Sequence, residues 1–145
     1  MATEGWIPAS GGRQELKEPA GATILIVEDE AIVAELYSIS LERAGYRVVV
    51  AGDGLAGLEA VSSAVPDFIF LDIRMPKLDG IEVLKRLQAG DATRHVPVVM
   101  LSNFDEPGLV KQTLDLGAKE YLVKAGLLPA DLAVIAKRWL DEAGS

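Results

Sequence analysis

The sequence predicts an α/β domain, a (βα)5 doubly wound parallel sheet of five strands in the order 2-1-3-4-5. Three observations carry that prediction. From Thr23 onward, short apolar runs alternate five times with amphipathic stretches. The runs are nearly continuous in Val, Ile, Leu and Phe, the texture of parallel strands covered on both faces by helices. The chain has 145 residues, 50% hydrophobic and 25% charged, enough for one core with little room for a second catalytic domain.

Residues 1–21 contain Gly5, Pro8, Gly11, Gly12, Pro19 and Gly21 among charged side chains, follow neither a helical nor a strand period, and read as a flexible tail. Trp6 and Ile7 are its apolar pair. The domain itself is predicted to span 22–143, with strands at 24–27, 48–50, 68–71, 96–101 and 121–123. In the first helix Ile32, Leu36 and Ile39 recur at i, i+4 and i+7, a stripe expected to face the core, and Gly45 supplies the stop. Asp53 is a suitable N-cap for the second helix, which must end before Pro66. Met75-Pro76 and Asp79-Gly80 read as loop and turn leading into the third helix, striped by Ile81, Leu84 and Leu87. Val110, Thr113 and Leu114 mark the fourth helix, with Gly117 behind it, and Leu132, Ile135 and Trp139 follow Pro129 in the fifth.

Composition narrows the function. Lys plus Arg number 14 against 22 Asp plus Glu, a net charge of −8, the wrong sign for holding nucleic acid through its phosphates. Cysteine is absent, which removes disulfides, thiolate metal sites and thiol nucleophiles, and the single His95 reads as a surface loop residue. No apolar run approaches the ~18 residues that span a bilayer and the start lacks a secretory signal, so a soluble cytoplasmic protein without a membrane partner is expected.

In open sheets of this class, ligands bind beyond the carboxyl ends of the strands where the strand order reverses. The first strand runs into Glu28 and Asp29, the third into Asp72, the fourth into Ser102 and the fifth into Lys124. Two unit charges ~4 Å apart repel by about 4 kcal/mol at an effective dielectric near 20, so three carboxylates at one crevice call for a compensating cation or proton. With oxygen ligands only, a hard divalent ion such as Mg²⁺ is the natural occupant. A cation, a hydroxyl and a lysine around one aspartate are what a transferring phosphoryl group requires, with Asp72 as nucleophile. Singly, each residue has a structural reading, as helix-end charge, turn former, cap or solvated strand end. Complementary groups at four strand ends favour the joint functional one.

These residues resemble the receiver domain of bacterial response regulators, a CheY-like, flavodoxin-like family. The matching segments are 24–30 (ILIVEDE), 70–80 (FLDIRMPKLDG), 98–103 (VVMLSN) and 120–124 (EYLVK), and the similarity covers residues 23 to about 142. The resemblance implies phosphoryl transfer in a two-component system, from a phosphohistidine on a histidine kinase or histidine phosphotransfer protein to Asp72. It implies Mg²⁺ held by Asp29, Asp72, the backbone carbonyl of Arg74 and Glu28, with Lys124 pairing the phosphorylated side chain. Ser102 and Tyr121 would form the switch, and the fourth helix, fifth strand and fifth helix would present the altered surface to a downstream protein or in a phosphorylation-linked homodimer. No enzymatic turnover beyond the domain's own phosphorylation and dephosphorylation is expected.

Several positions depart from the usual pattern of that family. Ala125 and Gly126 follow the lysine where a cis-proline is common, so trans geometry or stored strain is expected there. Asn103 replaces a small residue, Glu28 stands for the commoner aspartate, and Arg74 and Phe104 occupy positions resembling those that tune phosphoryl lifetime. Three alternatives stay open: the input domain of a longer regulator, a phosphorylation-independent pseudo-receiver, and an aspartate-nucleophile phosphatase. The last is disfavoured by Arg74, which stands where such enzymes usually carry a second acid.

Overall fold

The computed structural model describes residues 21–144. The tail reading, with Trp6 and Ile7, lies outside the described residues. The elements are β1 (Thr23–Val27), α1 (Ala31–Arg43), β2 (Arg47–Ala51), α2 (Gly54–Ser63), β3 (Phe68–Asp72), α3 (Gly80–Ala89), β4 (Val98–Ser102), α4 (Pro107–Asp115), β5 (Glu120–Val123) and α5 (Pro129–Ala143). The five strands are all parallel in the order β2-β1-β3-β4-β5, as the alternation predicts.

Strand pleating divides the core into two layers. Ile24, Ile26, Phe68, Phe70, Val99 and Leu101 face Tyr37 and Leu41 of α1 and Leu132 and Ala136 of α5. The alternate residues Leu25, Val27, Ile69, Leu71, Val98 and Met100 face Val61 of α2 and Val83, Leu84 and Leu87 of α3. Phe68 and Phe70 lie side by side on the first face with ring centroids 4.8 Å apart, a favourable tilted aromatic pair.

Local chemistry sets the element ends. The Asp53 carboxylate accepts the Ala56 N–H at 2.8 Å and starts α2, and Asp79 accepts the Glu82 N–H at 3.0 Å and starts α3. Pro129 occupies the first turn of α5, where its missing N–H costs nothing, and Asp131 Oδ2 accepts from the Leu128 N–H at 2.8 Å. Gly45 and Gly117 follow α1 and α4 at φ of 100° and 108°, a conformation that disfavours any side chain.

Four expectations need correction. Ile32, Leu36 and Ile39 do not face the core: they are 75%, 51% and 39% exposed, whereas Ala34, Tyr37 and Leu41 are buried. α1 is apolar on more than one side, and packing against α5 and the sheet selects the opposite stripe. Leu114 is likewise exposed, while Thr113 is fully buried because its hydroxyl donates to the Leu109 carbonyl at 2.9 Å. The fourth strand begins at Val98 rather than 96, since Pro97 has no N–H for the ladder, although its carbonyl accepts from Ile69 N–H at 3.0 Å. Finally, β2 is not covered on both faces: it is an edge strand, with Val49 and Val50 close to half exposed.

Candidate functional site

Because every strand is parallel, all five carboxyl ends lie on one rim, and β3 sits between β1 and β4. Glu28 continues β1, with its N–H donating to the Ala51 carbonyl at 3.0 Å. Asp72 is the last residue of β3, opposite Leu101 in the register, so Ser102 ends the neighbouring strand one residue further along. The chain after Asp72 is fastened on both sides: Ile73 N–H donates to the Leu101 carbonyl at 3.1 Å, and Gly80 N–H to the Ile73 carbonyl at 2.7 Å. Gly80 sits so close that a Cβ there would overlap the Asp72 carbonyl oxygen.

The structure brings four of the expected residues together. Carboxylate oxygens of Glu28, Asp29 and Asp72 lie within 4.8 Å of one another. Glu28 and Asp72 are buried, at 1% and 3% exposure, and Asp29 is exposed at the mouth. Lys124, its side chain only 9% exposed, places Nζ 2.6 Å from Glu28 Oε1 and donates to Asp72 Oδ2 at 3.1 Å. The even-numbered positions of β1, β3 and β5 point toward the α1/α5 layer, which is how residues 28, 72 and 124 converge across three strands.

Burial, followed by the charge of Glu28, pushes the Asp72 carboxyl up to about 6, with Lys124 opposing. Burial alone would lower the Lys124 ammonium, but the contacts with Glu28 and Asp72 outweigh it and the group is raised, so the lysine stays charged. The Tyr37 hydroxyl, buried beneath α1 and within reach of the same charges, is raised chiefly by burial and stays protonated.

The donor set fits a hard divalent cation. Three carboxylates offer oxygen only, and Glu28 Oε2 already accepts the Glu30 N–H at 3.1 Å. Glu28 Oε1 is buried and, although close to Lys124, is not aligned with it as a hydrogen-bond acceptor. One lysine against three acids leaves negative charge uncompensated at the mouth, where Asp29 faces solvent.

Three further predicted residues, Ser102, Tyr121 and Arg74, meet at Phe104 in the β4–α4 loop, whereas His95 and Trp139 lie toward the amino ends of the strands. Ser102 is buried and its Oγ accepts the Phe104 N–H at 3.0 Å, while Tyr121, half-buried on β5, donates its hydroxyl to the Phe104 carbonyl at 2.7 Å. Arg74 is exposed and extends its guanidinium over the Phe104 ring, 5.4 Å from the centroid, to donate to Glu106 at 2.8 Å. Asn103 and His95 are exposed. Lys124–Gly126 forms a 3-10 turn without a cis peptide, so the lysine enters the site through a trans bond to Ala125. Trp139 packs on the α1/α5 layer and donates Nε1–H to Glu120 at 2.8 Å. Sequence reasoning overlooked Tyr37, Glu106 and the packing role of Gly80. An acid directly before Pro107 was the signal that could have drawn attention to Glu106.

A parallel five-stranded sheet carrying three acids and one lysine on its carboxyl rim places the chain in a defined class. It belongs to the response regulator receiver domain family, whose model matches residues 24–135. It is 41% identical over 101 residues to the DNA-binding dual master transcriptional regulator RpaA of Synechocystis, an alignment covering 70% of this chain and 42% of RpaA. Among solved structures, the chemotaxis response regulator CheY4 of Vibrio cholerae is similar at a TM-score of 0.76 and 30% identity, covering 81% of this chain and 98% of that one. The Mn²⁺-bound form of response regulator Rcp1 is similar at a TM-score of 0.71 and 27% identity, covering 82% and 94%. The chain spans about half the length, or less, of the curated relatives it matches. It is thus a receiver domain of the two-component type, with bacterial relatives, and among the described residues no helix is long and apolar enough to cross a membrane.

Proposed function

We propose that this receiver accepts a phosphoryl group on Asp72 from a phosphohistidine of a histidine kinase or histidine phosphotransfer protein, in the cytoplasm, and passes the signal to a downstream protein through α4, β5 and α5. The observation that carries this reading is the placement of Lys124 between Glu28 and Asp72 on the rim. An Asp72 oxygen attacks phosphorus in line as the phosphorus–nitrogen bond breaks, and the departing imidazole nitrogen retains the electron pair. Asp72 at about 6 is largely ionised at neutral pH and so is available as the nucleophile. Lys124 holds a positive charge beside the oxygens that become anionic. Glu28, Asp29, Asp72 and the backbone carbonyl of Arg74 would hold Mg²⁺, which when bound neutralises phosphoryl charge. Ser102 and Tyr121, both bonded to the Phe104 backbone, are the groups through which the new charge would reach the β4–α4 loop. No substrate other than the protein itself is turned over.

The test is phosphotransfer from candidate phosphorylated kinases, and from acetyl phosphate, to the wild type and to Asp72→Asn. Incorporation of one Mg²⁺-dependent, acid-stable and base-labile phosphoryl group in the wild type, absent from the variant, is the expected result. Labelling that survives in Asp72→Asn would overturn the assigned nucleophile, and no labelling under any condition would favour a pseudo-receiver. One observation favours a second reading, the input part of a longer regulator: RpaA, a DNA-binding regulator, is matched over 42% of its length.

A further inference from the structure

The β3–α3 and β4–α4 loops are joined by one side chain. Arg74, two residues beyond Asp72, covers the Phe104 ring and pairs with Glu106 at 2.8 Å. Glu106 is the N-cap residue of α4, yet its carboxylate makes no hydrogen bond to the N–H groups of its own helix. Those groups belong to the first turn, in which Pro107 contributes none, so Gly108 and Leu109 carry the free donors.

We infer that Glu106 is a positioning residue and that its pair with Arg74 is a latch which a phosphoryl group on Asp72 opens. The inference rests on the phosphoacceptor reading. A phosphoryl group carries about −1.5 to −2 charges and three strong acceptor oxygens, and guanidinium binds that geometry in bidentate fashion. The competing pair is exposed, at 60% for Arg74 and 43% for Glu106, and exposed pairs are weak. Arg74 therefore exchanges a solvated carboxylate for a more highly charged partner two residues away in the chain. Glu106, once released, stands at a helix N-terminus with unsatisfied donors and a favourable dipole. Both ends of the exchange are satisfied, and α4 changes from a helix tethered to the β3–α3 loop into one capped by its own acid. This route to α4 runs in parallel with the one through Ser102 and Tyr121.

Amide hydrogen exchange at Gly108 and Leu109 tests the latch in the full chain, before and after acetyl phosphate, with intact mass recording phosphoryl incorporation separately. In the wild type, phosphorylation should slow exchange at both amides by about two- to fivefold, the factor of a modest N-cap. Arg74→Gln frees Glu106 without phosphorylation and should show that slowing in the unmodified protein, whereas Glu106→Ala should never show it. Unmodified Arg74→Gln exchanging at the wild-type rate would overturn the latch. So would a phosphorylated wild type with unchanged exchange at these amides. Absence of any mass gain in the wild type would instead overturn the phosphoacceptor reading.

Discussion

β2 and β3 are strands of equal length, RVVVA and FIFLD, yet every residue of β3 is buried whereas only Ala51 of β2 is. The difference is position: β3 lies in the middle of the sheet, and β2 forms an edge with β1 as its single neighbour. It also divides the chemistry. β3 ends between strands that supply Glu28 and Ser102 as neighbours for Asp72, while the end of β2 contributes a backbone carbonyl, that of Ala51, to Glu28 N–H. Asp72 has partners from the strands on both sides, while the other edge strand, β5, reaches the cluster only through the long side chain of Lys124.

The largest effect that would sharpen this contrast is at the centre. Phe70→Ala removes a fully buried ring packed on Phe68, and a loss of about 3–5 kcal/mol in denaturant unfolding is expected; a loss below 1 kcal/mol would break the comparison.

Next comes the acid at the strand's end. The folded protein holds the Asp72 proton up to about pH 6 against an ordinary value of 3.8, so the folded state binds more protons than the unfolded state in that window. Stability therefore falls as pH rises from about 4 to 6 and stays lower above it. Asp72→Asn removes that penalty and should stabilise the Mg²⁺-free protein at pH 7 by up to ~3 kcal/mol, with a flatter pH dependence. An unchanged profile would show that β3 delivers its acid to a more open environment than the structure gives.

Mg²⁺ is expected to act in the same direction by binding the folded cluster. At a hundredfold excess over its dissociation constant the gain is about 2.7 kcal/mol, visible as a raised thermal midpoint that Asp72→Asn diminishes. The smallest effect belongs to the edge: Val49→Thr should change stability by no more than about 0.5 kcal/mol, because the side chain is already half in water.

Much of this was legible before any coordinates. The continuous apolar runs and the capping residues specify the strand–helix order, and the parallel sheet then forces Glu28, Asp29, Asp72, Ser102 and Lys124 onto one rim. Sidedness was less legible. α1 contains two apolar stripes, Ile32-Leu36-Ile39 and Ala34-Tyr37-Leu41, and nothing local distinguishes them; α5 and the sheet choose the second by shape. The predicted order already places β2 at an edge, but the exposure of its faces was hidden, since a run of valines looks the same whether helices cover it or not. The pairing of Arg74 with Glu106 joins residues 32 apart through long, exposed side chains, which leaves no periodic trace in the chain.

Gly80 extends the site beyond its chemistry. The first residue of α3 rests on the back of Asp72, so the Asp72 carbonyl already fills the volume that any larger amino acid would require. In a saturation library scored for signalling, this glycine should therefore look as indispensable as the acids, although it has no functional group to offer.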